Sequence, residues 1–519
     1  MAREQSRRDV LIAAGAAGMS MAASPSLAQT GNPPPGGSYR GARELAAALT
    51  ARQVSALELT SQAIARIEAL DGKLNAVVVR DFDNARKAAA EADAALARGE
   101  RKPLLGVPMT VKEGVNVAGL PTTWGLPRAK GRLVSEDAVT VARLKAAGAI
   151  VLGKTNVPLM LADWQSYNDV YGQTNNPWDV TRTPGGSSGG SAAALAAGFV
   201  PLELGSDIGG SLRVPAHFCG VFAHKPTQGL IPLRGHVPPG APALPVEVDL
   251  AVVGPMARSA DDLALALDVL AGPDAPLATA YRLALPAPRH AALKDFRVLL
   301  IDTHPLLPTG NAVRAAIARL TDDLAKAGAT VARSSPLLPD LALAGRTYQT
   351  LLTGFLGADM PTEAYERMRQ VAAGIPKEDN SLDATGARGW VVSHRDWIWA
   401  DRTRLWIAER FRVLFREFDV VVCPIMPTPA FAHDHGEPRA RRIDVDGTPH
   451  PYLEQTMWPG VATLTGQPAT AIPLGRADNG LPVGAQIVGP YLEDRTAIAF
   501  AGLIEREFGG FVPPPGYAG

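Results

Sequence analysis

Apolar positions along this chain recur with two different periods, and the alternation between them predicts its elements. Between residues 42 and 98, side chains such as Leu57, Leu59, Ile64, Ile67 and Leu70 return at helical spacing, which predicts amphipathic helices. Short continuous apolar runs at 149–153 and 200–204 predict buried strands, and the alanine-rich run 192–197 predicts a helix small enough in side-chain volume to press against a sheet. After a proline-rich loop at 238–245 the alternation resumes. Strands are expected at 296–301, 420–423, 469–474 and 483–488, with a helix from 312 to about 327. No internal repeat stands out. The sum is an α/β fold, a mixed central β-sheet covered by α-helices on both faces.

Residues 1–28 break this pattern. They run SRRDVL at 6–11, then an alanine-rich apolar stretch to about Ala23, then Ser26-Leu27-Ala28, a small-x-small cleavage pattern. This reads as a twin-arginine export signal, and its apolar stretch is too short to favour a membrane span, so no stable membrane insertion is expected. The mature protein is expected to start near Gln29, with residues 29–40 as a flexible end, and to work in the periplasm or outside the cell.

Composition adds exclusions. Lysine and arginine together number 51, as do aspartate and glutamate, and 46% of the 519 residues are hydrophobic. Removing residues 1–28, with three arginines and two acids, leaves a charge of −1. A neutral surface offers no electrostatic footprint for nucleic acid. The only cysteines, Cys219 and Cys423, lie in apolar contexts (HFCGVF and VVVCPI) and read as buried thiols rather than a disulfide framework. His433-Asp434-His435 could ligate a metal, but an isolated H-x-H in a proline-rich stretch reads better as a polar loop.

Two glycine-serine clusters carry the candidate chemistry: GGSSGGS at 185–191 and SDIGGSLRVP at 206–215, with Lys112 upstream in GVPMTVKEGVN. A serine that attacks an amide needs a base for its proton and backbone N–H groups for the oxyanion. Gly209 and Gly210, directly before Ser211, let consecutive N–H groups converge on one point. Lysine can serve as the base if burial lowers its pKa, and Val107, Pro108, Met109 and Val111 supply apolar surroundings for Lys112. GGSSG also fits the G-x-S-x-G nucleophile elbow of an α/β-hydrolase-type esterase. Ser187 would then attack, with Asp434 and His433 or His435 downstream, but no hydrophobic strand leads into Gly185. No GK[ST] follows the glycines, so a phosphate loop is not supported.

At these residues the chain resembles the amidase signature family of serine hydrolases. The likeness runs through GVPMTVKEG at 106–114, GKTNVP at 153–158, NNPWD at 175–179, GGSSGGSAAALAAG at 185–198, GSDIGGSLRVPAHFCGVFAHKPT at 205–227 and LPVGAQIVGP at 481–490. It implies one domain over 41–519 with the amidase signature fold. It further implies Ser211 as nucleophile, Ser187 in a cis peptide as proton relay and Lys112 as base, with the N–H groups of Ile208, Gly209, Gly210 and Ser211 as the oxyanion hole. Supporting roles follow from the same likeness: Asp207 and Arg213 as a buried pair, Ser188 as a hydrogen-bond partner within the relay, and Leu161 near the substrate. The implied reaction hydrolyses a small linear carboxylic amide to carboxylate plus ammonia or amine, with no cofactor and no metal. A homodimer is compatible with it. The same motifs occur in glutamine-dependent amidotransferase subunits that work with a tRNA-binding partner, and a non-catalytic binding protein on the same scaffold is a third reading. Substrate choice is less legible. Trp390, Trp397, Trp399 and Trp406, four of the eight tryptophans, include pairs spaced by seven, expected to pack inward; the alternative is that some line an acyl pocket for aromatic or fatty amides.

Overall fold

Eleven strands form one sheet in the computed structural model, which describes residues 39–518. They are β1 (Val77–Arg80), β2 (Pro108–Lys112), β3 (Ile150–Thr155), β4 (Leu202–Asp207), β5 (Phe222–Lys225), β6 (Val252–Ala257), β7 (Arg297–Leu300), β8 (Thr330–Ala332), β9 (Val420–Pro424), β10 (Ala469–Arg476) and β11 (Pro482–Val488). Their order across the sheet is β1-β3-β2-β4-β6-β5-β10-β11-β9-β7-β8. β3, β2 and β4 run parallel, as do β9, β7 and β8, while antiparallel pairings join the two groups, so the sheet is mixed as expected. β2 and β4 are buried at every position, as strands covered on both faces must be.

The predicted strands all appear within a few residues of their expected bounds, and the helix expected from 312 spans Asn311–Lys326. The alanine-rich helix is Gly189–Ala196, with every residue buried. The stretch 42–98 is not continuous helix: Ala42–Thr50, Ala56–Leu70 and Phe82–Ala97 are helical, but β1 interrupts them as the edge strand beside β3. Leu59, Ile64 and Ile67 face the core as expected, whereas Leu57 is exposed.

A layer that periodicity did not reveal lies between residues 341 and 417. Helices Leu341–Gly357, Thr362–Ala373, Leu382–Gly389 and His394–Glu417 make it up, and Tyr348, Leu351, Ile407 and Phe411 from two of them join a second apolar core that also contains Trp458. The export signal expected at 1–28 and the segment 29–38 lie outside the described residues. Tyr39 and Arg40, at the end of the segment expected to be flexible, are held: the Tyr39 hydroxyl donates to the Tyr517 carbonyl at 2.7 Å, and Arg258 donates to the Arg40 carbonyl at 3.0 Å. Among the described residues no helix is long and apolar enough to cross a membrane.

Candidate active site

Neighbouring parallel strands bring the first two partners together. Lys112 is the last residue of β2 and Asp207 the last of β4, so both side chains emerge at the carboxyl end of the sheet, where open α/β folds place their sites. Lys112 is fully buried, and its Nζ lies 2.6 Å from Ser187 Oγ, 2.9 Å from Ser206 Oγ and 3.5 Å from the Ser206 carbonyl. Burial drives its pKa down to about 7, against the opposing pull of the Asp207 carboxylate. A substantial neutral fraction is therefore present near neutral pH, as a lysine base requires. Ser187 follows a cis Gly186–Ser187 peptide and is 2% exposed.

The loop 208–211 presents its N–H groups because its carbonyls are fixed elsewhere. In a planar trans peptide the N–H points opposite to the C=O. The Ile208 carbonyl accepts from the Tyr348 hydroxyl at 2.7 Å, which turns the Gly209 N–H the other way. The Gly210 carbonyl accepts the Val214 N–H at 2.7 Å, and this turns out the N–H of Ser211. Gly209 O is held by Trp164 Nε1 at 3.0 Å, and the Gly210 N–H donates to Asp207 Oδ1 at 2.9 Å. Of the four N–H groups expected to face an oxyanion, that of Gly210 is engaged, while those of Ile208, Gly209 and Ser211 have no partner among the described residues. Gly210 has φ +97, and a Cβ there would meet Pro459 Cγ at 2.8 Å, so no other residue fits this turn.

Asp207 and Arg213 brace this loop as a fully buried pair. Arg213 donates to both Asp207 oxygens, from Nε at 3.0 Å and from Nη2 at 2.9 Å. Burial alone would raise the Asp207 pKa, but the Arg213 guanidinium holds it down at about 2. The carboxylate also accepts the N–H groups of Gly210 and Leu212. Ser188 joins the two serine loops: its N–H donates to the Ser211 carbonyl at 3.2 Å, and its hydroxyl lies 3.3 Å from the Ser206 carbonyl. Its hydroxyl makes no hydrogen bond to Ser187 or Lys112, and accepts the Ser206 N–H at 3.4 Å. Ser211 is 6% exposed, and no hydrogen bond joins its hydroxyl to that of Ser187. Leu161 packs over Gly114, two residues past Lys112; its Cδ1 comes within 2.8 Å of where a Gly114 Cβ would sit.

Other candidates fall away from this centre. Trp399 and Trp406 are 56% and 53% exposed, which corrects the inward packing expected of them; spacing by seven places two side chains on one side of a helix without saying which side. Trp397 packs against the second core as expected. No strand leads directly into Gly185, so the elbow reading lacks its structural context, and the His435 ring stacks on Tyr167 at 3.8 Å. Cys219 and Cys423 are buried free thiols. Sequence reasoning missed Ser206, Tyr348 and Trp164. Ser206 lies inside the SDIGGS motif, which is signal enough to find it; Tyr348 comes from the unrecognised helical layer, and no spacing connects it to Ser211.

Comparisons with known proteins bear on the family and the fold. The Amidase family model matches residues 58–498. The chain is 34% identical over 495 residues to the A-type subunit of the Glutamyl-tRNA(Gln) amidotransferase of Anaeromyxobacter sp. (strain K), covering 92% of this chain and 97% of that one. Among solved structures it resembles a chain of an inhibitor-bound vestigial protein complex that reveals the evolutionary origins of an s-triazine catabolic enzyme (TM-score 0.75, 31% identity, 91% of this chain and 100% of that one). A bacterial aryl acylamidase of the amidase signature family shares the fold (TM-score 0.75, 24% identity, 92% and 98% covered).

Proposed function

This chain belongs to the amidase family, and from that premise we propose that it hydrolyses a small linear carboxylic amide through a Ser211 acyl-enzyme. The observation that carries the reading is the buried Lys112 amine, lowered to about 7 and 2.6 Å from Ser187 Oγ, beside a serine loop with unpaired N–H groups. In this mechanism neutral Lys112 takes the Ser187 proton as Ser187 takes that of Ser211. Ser211 Oγ bonds to the carbonyl carbon, and the N–H groups of Ile208, Gly209 and Ser211 receive the oxyanion. As the C–N bond breaks, Ser187 returns a proton to the leaving nitrogen; water then enters through the same relay and releases the carboxylate.

Fluorophosphonate labelling tests it. The probe should attach at Ser211, and Ser211→Ala should abolish both labelling and release of amine from an amide panel. Labelling that survives Ser211→Ala but disappears in Ser187→Ala would sink the assignment.

The amidotransferase relatives favour a second reading, in which the same acyl-enzyme chemistry releases ammonia from glutamine for a partner protein. Glutaminase activity together with co-purification of a tRNA-binding partner would support it over a free-standing amidase. Location separates the two readings further. The Arg7-Arg8 pair ahead of an apolar stretch supports twin-arginine export. Replacing both arginines by lysine should keep the protein in the cytoplasm, and unchanged export of that variant would remove this proposal.

A further inference from the structure

We propose that His236 is a positioning residue of the proton relay, fixing through Ser206 the direction in which the Lys112 amine faces. The inference rests on Lys112 acting as the base. His236 Nε2 lies 2.9 Å from Ser206 Oγ, and the same hydroxyl lies 2.9 Å from Lys112 Nζ. Lys112 and Ser206 are buried and His236 is half-buried, with Trp124 beside the imidazole at 5.2 Å between ring centroids. Burial, with Lys112 adding to it, lowers the His236 pKa to about 3, so the ring stays neutral wherever Lys112 can work as a base. In the proposed arrangement the neutral ring carries its proton on Nδ1, and Nε2 accepts from the Ser206 hydroxyl.

Hydrogen-bond polarity then follows around the whole cluster. With Nε2 accepting, the Ser206 hydroxyl donates to His236 and turns its lone pairs toward Lys112. A neutral amine has two N–H donors and one lone pair. Its donors meet the two oxygens of Ser206, at 2.9 Å and 3.5 Å, and the lone pair is left for the proton of Ser187 at 2.6 Å. Without the imidazole, the Ser206 proton can turn to the Lys112 lone pair and compete with Ser187 for it.

The backbone delivers His236 rigidly. Gly235 has φ +91, and a Cβ there would come within 2.4 Å of Ala138 Cα. The Gly235 carbonyl accepts the Asn116 N–H at 2.9 Å, the Arg234 carbonyl accepts the Val139 N–H at 3.0 Å, and the His236 N–H closes the turn on Leu233 O at 2.8 Å.

The test compares rates of fluorophosphonate labelling at Ser211 in purified full-length protein. His236→Leu should slow labelling by about 10- to 100-fold, a part of what acid–base assistance contributes. His236→Gln, whose amide oxygen reaches as far as Nε2, should recover most of the rate; His236→Asn, which reaches only as far as Nδ1, should not. Ser206→Ala keeps the ring in place and should give a similar loss, with no further loss in the Ser206→Ala/His236→Leu double variant. Wild-type rates in His236→Leu, equal losses in all three His236 variants, or additive losses in the double variant would overturn the role. Absence of Ser211 labelling in the wild type would instead overturn the serine hydrolase reading, and the positioning role with it.

Discussion

Lys112→Met should lower amide turnover by roughly 10²–10⁴-fold while making the protein more stable at neutral pH. The first effect follows from position. Lys112 is the basic group in contact with Ser187, and methionine fills a similar volume without a basic nitrogen. In the wild type only the neutral amine can take a proton, so kcat/KM should rise with pH through about 7 and level off above it. That acid limb should be missing from the residual activity of the methionine variant.

The second effect comes from the same burial with its sign worked through. The unfolded lysine titrates near about 10.4, and the folded one at about 7. Between those values the unfolded chain binds the extra proton, so wild-type stability rises with pH across this window. The cost of burying Lys112 is fully present below about pH 7 and vanishes above about 10.4. Methionine does not incur it. Equal urea midpoints for the two proteins at pH 7, or an acid limb that persists in the variant, would remove Lys112 from its role.

Whether a segment was legible in the sequence depended on whether its physical driving force was local. The strands with continuous apolar runs, such as the VVVC of β9, could be read directly because burial on both faces leaves no polar alternation. β2 could not. It reads PMTVK and ends in a charged residue that is nevertheless fully buried, a choice made by chemistry rather than by hydrophobic patterning. β6, VVGPMA, hides behind its glycine and proline. The helical layer from 341 to 417 buries its apolar faces against distant elements, so its outward-facing Trp399 and Trp406 resembled core positions.

The site divides along the same line. Contiguous motifs let sequence single out Ser187 and Ser188 in one cluster and Asp207 to Arg213 in the other, and the structure brings the two clusters together. The groups that aim those motifs were not. Tyr348 and Trp164 fix the carbonyls of Ile208 and Gly209 from other parts of the chain. The engagement of the Gly210 N–H by Asp207 depends on a loop conformation that residue types alone do not specify.

Removing Arg213 should be the most damaging single change away from the reacting atoms. Its five N–H donors are all used: two on Asp207, and the others on the Pro459 carbonyl, Gln486 Oε1 and Thr463 Oγ1. Arg213→Met would strand a buried carboxylate and three further acceptors. Breaking a buried ion pair from one side costs about 3–5 kcal/mol. Arg213→Lys should recover only part of this, because three donors on a flexible stem cannot reproduce a planar fork. The damage should extend to turnover, since the Asp207 oxygens that Arg213 holds also accept the N–H groups of Gly210 and Leu212 and so set the conformation of the nucleophile loop. Urea denaturation and amide hydrolysis on the same preparations separate this from a generic surface effect. Arg412→Met, which breaks the exposed pair with Glu409, should leave both unchanged. Were Arg213→Met to unfold at the wild-type midpoint, the pair would not be bracing the loop, and the geometry of the unpaired N–H groups would need another source.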